Sequence, residues 1–119
     1  LLWWVTDDER LGRAARQAIA DPANEVFVSA ASAWEIATQL RLGKLEGVPQ
    51  VSERYAELVA ADGFQHLAID HRHALRAGGY TVEHRDPFDR MLAALSELEQ
   101  MPLVTRDPVF TLFGTRTFW

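Results

Sequence analysis

The stretch His84-Arg85-Asp86-Pro87-Phe88-Asp89-Arg90-Met91-Leu92-Ala93-Ala94 decides the fold, because it begins a helix with two carboxylates three residues apart. Asp86 is a suitable N-cap, and Pro87 suits the first helical position, where its missing N–H costs nothing. Asp89 then takes the third position of a capping box, and both acids lie in the positive field of the helix N-terminus. Such a start is on its own more often a cap than a catalytic site, so function depends on the rest of the chain.

The composition predicts one soluble globular domain and narrows the classes of function. The chain makes a single domain, 1–119, which is large enough to bury a core, and 48% of its residues are apolar. The net charge of −5 argues against a protein that coats nucleic acid nonspecifically. An acidic site that recruits cations is still compatible with an enzyme that cuts nucleic acid.

Cysteine content and the chain start bear on the cellular compartment. The sequence has no cysteine, which excludes disulfides, thiolate zinc sites and a cysteine nucleophile. Because this fits a reducing compartment, we expect a cytoplasmic protein. The apolar start Leu1–Val5 is too short for a signal peptide or a membrane span, so we expect no membrane association.

Short apolar runs alternate with helical patterns along the chain. The apolar runs predict strands at 25–29, 64–69, 101–105 and 115–119. The helical patterns predict helices over about 7–20 after Thr6 and Asp7, 30–42 after Ser29 or Ser32, 49–62 introduced by Pro49 and Ser52, 70–79, 87–99, and from Asp107-Pro108 onward. This alternation is typical of an α/β fold with a mostly parallel sheet and helices on both faces.

Acidic residues recur near the predicted carboxyl ends of the strands, where open parallel sheets bind ligands. Glu35 lies on the first turns after the first strand, Asp107 directly follows the third, and Asp89 opens the central helix together with Asp86. Carboxylates gathered there repel each other unless a cation lies between them, and hard oxygen ligands suit Mg²⁺ or Mn²⁺. Each acid alone has a structural explanation as a cap or a solvated residue. Together they favour a metal site that activates water against a phosphodiester.

Arginines flank these acids, and they have two interpretations. These residues are Arg85, Arg90 and Arg106. They are either ordinary solvated charges or RNA-binding residues that contact the substrate phosphates. The histidines show no zinc-helix spacing, and we expect surface or packing roles for His66, His71, His73 and His84. Trp34, beside Glu35, is expected in the core.

Four segments of the chain, in this order, together resemble the PIN-domain family, and more narrowly the VapC-type ribonuclease toxins of bacterial toxin–antitoxin pairs. They are Val28-Ser29-Ala30-Ala31-Ser32-Ala33-Trp34-Glu35-Ile36-Ala37, Leu42-Gly43-Lys44-Leu45, His84-Arg85-Asp86-Pro87-Phe88-Asp89-Arg90 and Leu103-Val104-Thr105-Arg106-Asp107. The resemblance implies a metal-dependent endoribonuclease, a small antitoxin partner and usually a homodimer. It implies Glu35, Asp89 and Asp107 as catalytic acids and, with Asp86 beside them, as ligands of Mg²⁺ or Mn²⁺.

The sequence departs from the family at its start. Proteins of this family begin with an apolar strand that ends in an Asp and lies centrally in the sheet, whereas Leu1 here opens the helix that would follow it. We therefore expect a PIN-like domain that is N-terminally incomplete, with a gap in its sheet and one carboxylate fewer at its site.

Two other classes of function compete with the toxin ribonuclease. The first is a catalytically silent PIN-like domain that only binds an antitoxin or RNA, and metal-dependent RNA cleavage distinguishes the two. The second is a receiver-like signalling domain, which needs paired acids after the first strand and a lysine after a late strand. Lys44 is the only lysine and lies in the wrong place, which disfavours the signalling domain.

Overall fold

The computed structural model describes residues 1–45 and 50–119 and has helices that alternate with short parallel strands. The helices are α1 Leu2–Val5, α2 Arg13–Ala20, α3 Ala30–Arg41, α4 Tyr55–Ala61, α5 His71–Gly79, α6 Pro87–Glu99 and a 3₁₀-helix, Pro108–Phe113. The strands are β1 Phe27–Ser29, β2 Gln65–Leu67, β3 Leu103–Val104 and β4 Thr117–Phe118. This order confirms the α/β class. Within the described residues no helix is both long and apolar enough to cross a bilayer.

The strands form two parallel pairs. β1 pairs with β2, in a register that places Val28 opposite His66, and β3 pairs with β4, with Val104 opposite Phe118. The parallel direction agrees with the prediction, but the strands are shorter than expected and the pairs are not joined within the described residues. A largely apolar cleft of about 940 Å³ lies against both pairs, and its lining includes Val28, Leu67, Leu103, Val104 and Phe118.

The central helix α6 packs against α3, α5 and β3, and small residues permit this close packing. Ala93 and Ala94 of α6 and Ala77 of α5 are buried, which lets the helix backbones approach each other. The contact between α3 and α6 brings the first turn of α6 to the middle of α3.

Several helix starts follow the predicted caps. The Asp86 carboxylate accepts hydrogen bonds from the Phe88 and Asp89 amides (2.8 and 3.2 Å), so α6 begins as expected. Of the two candidate caps for α3, Ser29 is the one used, since its hydroxyl accepts from the Ala31 amide at 2.9 Å. Asp70 caps α5, as predicted.

The helix predicted over 7–20 is wrong in its first half. α2 begins only at Arg13, after Gly12. The reason is local: the Asp8 carboxylate accepts from both the backbone and the guanidinium of Arg10, which forms a turn instead of a helix. The Thr6 hydroxyl donates to the Leu2 carbonyl at the end of α1 and so caps nothing downstream.

Two other predicted elements differ in extent or type. α4 spans only Tyr55–Ala61, and Pro49, which was expected to introduce it, lies outside the described residues. The segment after Asp107 is a short 3₁₀-helix, which Gly114 ends with a left-handed backbone (φ 67°).

Candidate metal centre

Three carboxylates from two helices meet where α3 contacts the start of α6. Glu35, Asp86 and Asp89 each place a carboxylate oxygen so that these atoms all lie within 4.8 Å of one another, and all three residues are partly buried. Two like charges at such a distance repel by about 3–4 kcal/mol at an effective dielectric constant of about 20. A divalent cation with oxygen ligands would offset that repulsion, so the residues present suit Mg²⁺ or Mn²⁺.

The surroundings of Glu35 and Asp89 disfavour the ionised form of each carboxyl group. Burial raises the pKa of Glu35, and the charges of Asp86 and Asp89 raise it further. Burial also raises the pKa of Asp89, against a lowering hydrogen bond from His84, and the charges of Asp86 and Asp107 add to the rise. Raised carboxyl pKa values in a shared site are typical of functional sites that bind a cation or a proton.

Asp89 does not complete the capping box that the sequence predicted. Its Oδ2 instead accepts a hydrogen bond from His84 Nε2 at 2.8 Å, and its side chain is 19% exposed. Sequence reasoning gave His84 only a surface or packing role. The available signal was weak, since a histidine five residues before an acid matches no metal-ligand spacing.

Asp107 lies outside the group of three carboxylates. It is exposed and caps the 3₁₀-helix, because its Oδ1 accepts from the Val109 amide at 3.0 Å. Its charge is nevertheless close enough to contribute to the raised pKa of Asp89. Of the four acids predicted for the site, the structure therefore brings together Glu35, Asp86 and Asp89 and places Asp107 at the margin.

The three arginines predicted to contact RNA have different environments. Arg85 is exposed, and Arg106 places its guanidinium carbon 4.8 Å from the centre of the Trp3 ring. Arg90 requires a correction, because its guanidinium donates to backbone carbonyls within the fold rather than facing solvent. These acceptors are the carbonyl oxygens of Ala77, Gly78, Tyr80, Val82 and His84. Its donors are thereby taken up, and Arg90 fixes the loop between α5 and α6.

Trp34 differs from the expectation drawn from the sequence, whereas His73 agrees with it. Trp34 is not in the core: it is 53% exposed and packs edge-on against Phe88, with ring centres 4.4 Å apart. His73 is a packing residue, as expected, and is only 1% exposed. Its Nδ1 accepts from the Asp70 amide at 3.0 Å, so Nε2 carries the proton and donates to Glu99 at 2.7 Å.

These features define an α/β domain with parallel strands and a cluster of three carboxylates. The sequence model of the PIN domain matches residues 1–114, and the chain belongs to the PIN-domain family. This confirms the resemblance drawn from the sequence.

A curated relative from Mycobacterium tuberculosis (strain ATCC 25618 / H37Rv), Ribonuclease VapC16, is 42% identical to the chain over 67 residues. The matched stretch covers 54% of the chain and 47% of the relative, so the chain spans about half the length of the curated relative that it matches. No solved structure matches the chain significantly.

Proposed function

We propose that the chain is a metal-dependent endoribonuclease that cleaves RNA phosphodiester bonds as the toxin of a type II toxin–antitoxin pair. The observation that carries the proposal is the convergence of Glu35, Asp86 and Asp89 from two helices of a PIN domain. The similarity to a protein named Ribonuclease VapC16 supports RNA as the substrate, and the resemblance to VapC-type toxins implies a small antitoxin protein as the partner. We place the activity in the cytoplasm.

In this proposal the three clustered acids hold Mg²⁺ or Mn²⁺. Glu35 and Asp89 offer carboxylate oxygens at the cluster, and Asp86 can both cap α6 and bind, since a carboxylate accepts several partners on two oxygens. The bound cation supplies an activated water and stabilises charge on the phosphodiester. The hydrogen bond from His84 orients the Asp89 carboxylate. Asp107, which lies outside the cluster, is the third catalytic acid that the family resemblance implies.

The arginines divide between binding and structure. We propose that Arg85 and Arg106, both exposed, contact RNA phosphates, whereas Arg90 holds the loop between α5 and α6.

The test is cleavage of a single-stranded RNA in Mn²⁺, in Mg²⁺ and in EDTA. Glu35→Gln and Asp89→Asn should each remove most metal-dependent cleavage. They should weaken Mn²⁺ binding in calorimetry by at least roughly 100-fold, the upper end of what is lost when the hydrogen-bond partner of a metal ligand is removed. Glu53→Gln is the matched control, because Glu53 is an exposed acid outside the cluster. Cleavage that persists in EDTA or in both variants would contradict the proposal. Metal binding without any cleavage would favour a silent domain that binds an antitoxin or RNA.

We further propose a homodimer. Trp3, Trp4 and Tyr55 do not supply the interface, because they are packed within the chain: Trp3 lies against Trp119, Trp4 against Phe64, and Tyr55 is partly buried. Other large apolar side chains are exposed instead, among them Leu42, Leu98 and Leu112. Sedimentation at tens of micromolar, roughly above ordinary dimer affinities, should show a dimer, and a clean monomer would contradict it.

A further inference from the structure

An exposed aromatic pair borders the carboxylate cluster. Trp34 immediately precedes Glu35 on α3, and Phe88 lies between Asp86 and Asp89 at the start of α6. The rings meet edge to face, with centres 4.4 Å apart and planes at 72°. The contact between α3 and α6 that assembles the carboxylates therefore also assembles these two rings beside them.

The exposure of Trp34 is unusual within this chain. Its side chain is 53% exposed, whereas Trp3, Trp4 and Trp119 are only partly exposed and Trp3 stacks against Trp119. Phe88 is partly buried and supports one side of the Trp34 ring, which limits its rotation and leaves apolar ring surface in water. Because an indole has few rotatable bonds, little side-chain conformational entropy is lost when a flat ligand stacks on it.

The charge balance indicates which ligand this surface suits. The chain carries a net charge of −5, and Arg90 is committed to backbone carbonyls, so attraction of phosphates alone gives weak affinity for RNA. Proteins bind single-stranded RNA by stacking its unpaired bases on aromatic side chains, independently of net charge. A cation bound by the carboxylate cluster would hold a phosphate of the RNA, and a base next to that phosphate would lie close to the neighbouring ring.

We propose that Trp34, supported by Phe88, is a stacking site for a nucleobase of single-stranded RNA adjacent to the metal centre. This inference rests on the proposed ribonuclease function and adds to it a preference for unpaired over duplex RNA. Trp34 binds and orients the substrate and leaves the metal ligands unchanged.

The experiment compares Trp34→Ala and Trp34→Phe with Leu75→Ala, a matched loss of an exposed apolar side chain on α5 (Leu75 is 73% exposed). Affinity is measured by fluorescence anisotropy for a labelled single-stranded RNA and for the same RNA as a duplex. The buffer contains Ca²⁺, which takes the same oxygen ligands, and a gel checks that the RNA stays intact. A thermal melt establishes that each variant is folded.

Trp34→Ala should weaken single-strand binding by about 5- to 150-fold, the range that corresponds to one stacked base. It should raise KM for cleavage in the same proportion and leave Mn²⁺ affinity unchanged. Trp34→Phe should keep most of the affinity, and Leu75→Ala should match the parent protein.

Several outcomes would overturn the stacking site. In the first, Trp34→Ala binds single-stranded RNA as tightly as the parent, and in the second, the parent binds duplex and single strand equally well. The third outcome is that Trp34→Ala changes only dimerisation in sedimentation or only the binding of an antitoxin. Metal-dependent cleavage with an unchanged KM in Trp34→Ala would reject stacking and keep the ribonuclease. RNA binding that depends on Trp34, in a protein that shows no metal-dependent cleavage, would keep the stacking site and reject the ribonuclease.

Discussion

His84 Nε2 lies 2.8 Å from Asp89 Oδ2, and this hydrogen bond links the loop before α6 to the metal centre. Because the bond occupies one oxygen of Asp89, it fixes the orientation of the carboxylate and so of its other oxygen. Partners of this kind orient metal ligands, and their loss typically costs 10- to 100-fold in metal affinity or activity.

We therefore predict that His84→Ala lowers Mn²⁺ affinity by roughly 10- to 100-fold while the protein stays folded. His71→Ala is the control, because His71 is exposed at the start of α5. Isothermal titration with Mn²⁺ measures the effect. Equal affinities of the two variants would show that His84 does not position Asp89.

Arg90→Ala should destabilise the fold. The substitution removes the donor from two carbonyls at the end of α5 and from three in the loop that follows it, and a buried acceptor left unsatisfied costs about 1–3 kcal/mol. Arg90→Lys should recover only part of the loss, since an ammonium cannot reproduce the guanidinium fork. Urea unfolding gives the free energies, with exposed Arg13→Ala as a control expected within about 0.5 kcal/mol of the parent. An Arg90→Ala midpoint equal to that of the control would contradict this role.

The metal-free protein should gain stability as the pH falls from 7 toward about 4, the ordinary carboxyl pKa. Glu35 and Asp89 have raised pKa values in the folded state, so the folded state binds their protons more tightly than the unfolded chain. Burial of the charged carboxylates, together with their mutual repulsion, destabilises the fold above the folded pKa, and protonation relieves both effects below it. Arginine-paired carboxyls act in the opposite direction at lower pH, since Arg72 holds the pKa of Asp70 at about 2.

Unfolding in EDTA at several pH values tests this prediction. Glu35→Gln should raise stability at pH 7 and flatten the slope, and Mn²⁺ should stabilise the parent more at pH 7 than at pH 5. A parent whose stability rises with pH over this window would contradict it.

A further strand should fit the cleft beside β1 and β3. The family resemblance implies an apolar strand that ends in Asp, and the cleft of about 940 Å³ is lined by both strand pairs. A chain with such a strand ahead of Leu1 should melt at higher temperature, because the strand pairs backbone groups and buries apolar area.

The matched pair for this test differs only in the terminal residue of the added strand. With Asp, both the melting temperature and Mn²⁺ affinity should rise, whereas with Asn only the melting temperature should rise. If neither form melts above the parent, the cleft does not accept a strand.

The local patterns of the sequence determined much of the secondary structure. Asp86-Pro87 specified the start of α6, Ser29 and Asp70 specified two further caps, and the apolar runs specified parallel strands. The caps depend on residues within one turn of each other, so local spacing is enough to predict them. The parallel direction follows from the alternation of apolar runs with helices. The wrong helix prediction over 7–20 also has a local cause. The sequence there is compatible with a helix and with a turn between Asp8 and Arg10, and the turn forms.

Only the tertiary structure decided which side chains share a site. The packing of α3 on α6 brings Glu35 to Asp86 and Asp89, leaves Asp107 at the margin and exposes Trp34 beside the cluster. Arg90 shows the same limit, since one arginine in an acidic motif suits a phosphate or a loop carbonyl equally well. The partner of Arg90 depends on the position of the backbone of residues 77–84. That position is fixed by helix packing across the chain rather than by neighbouring residues.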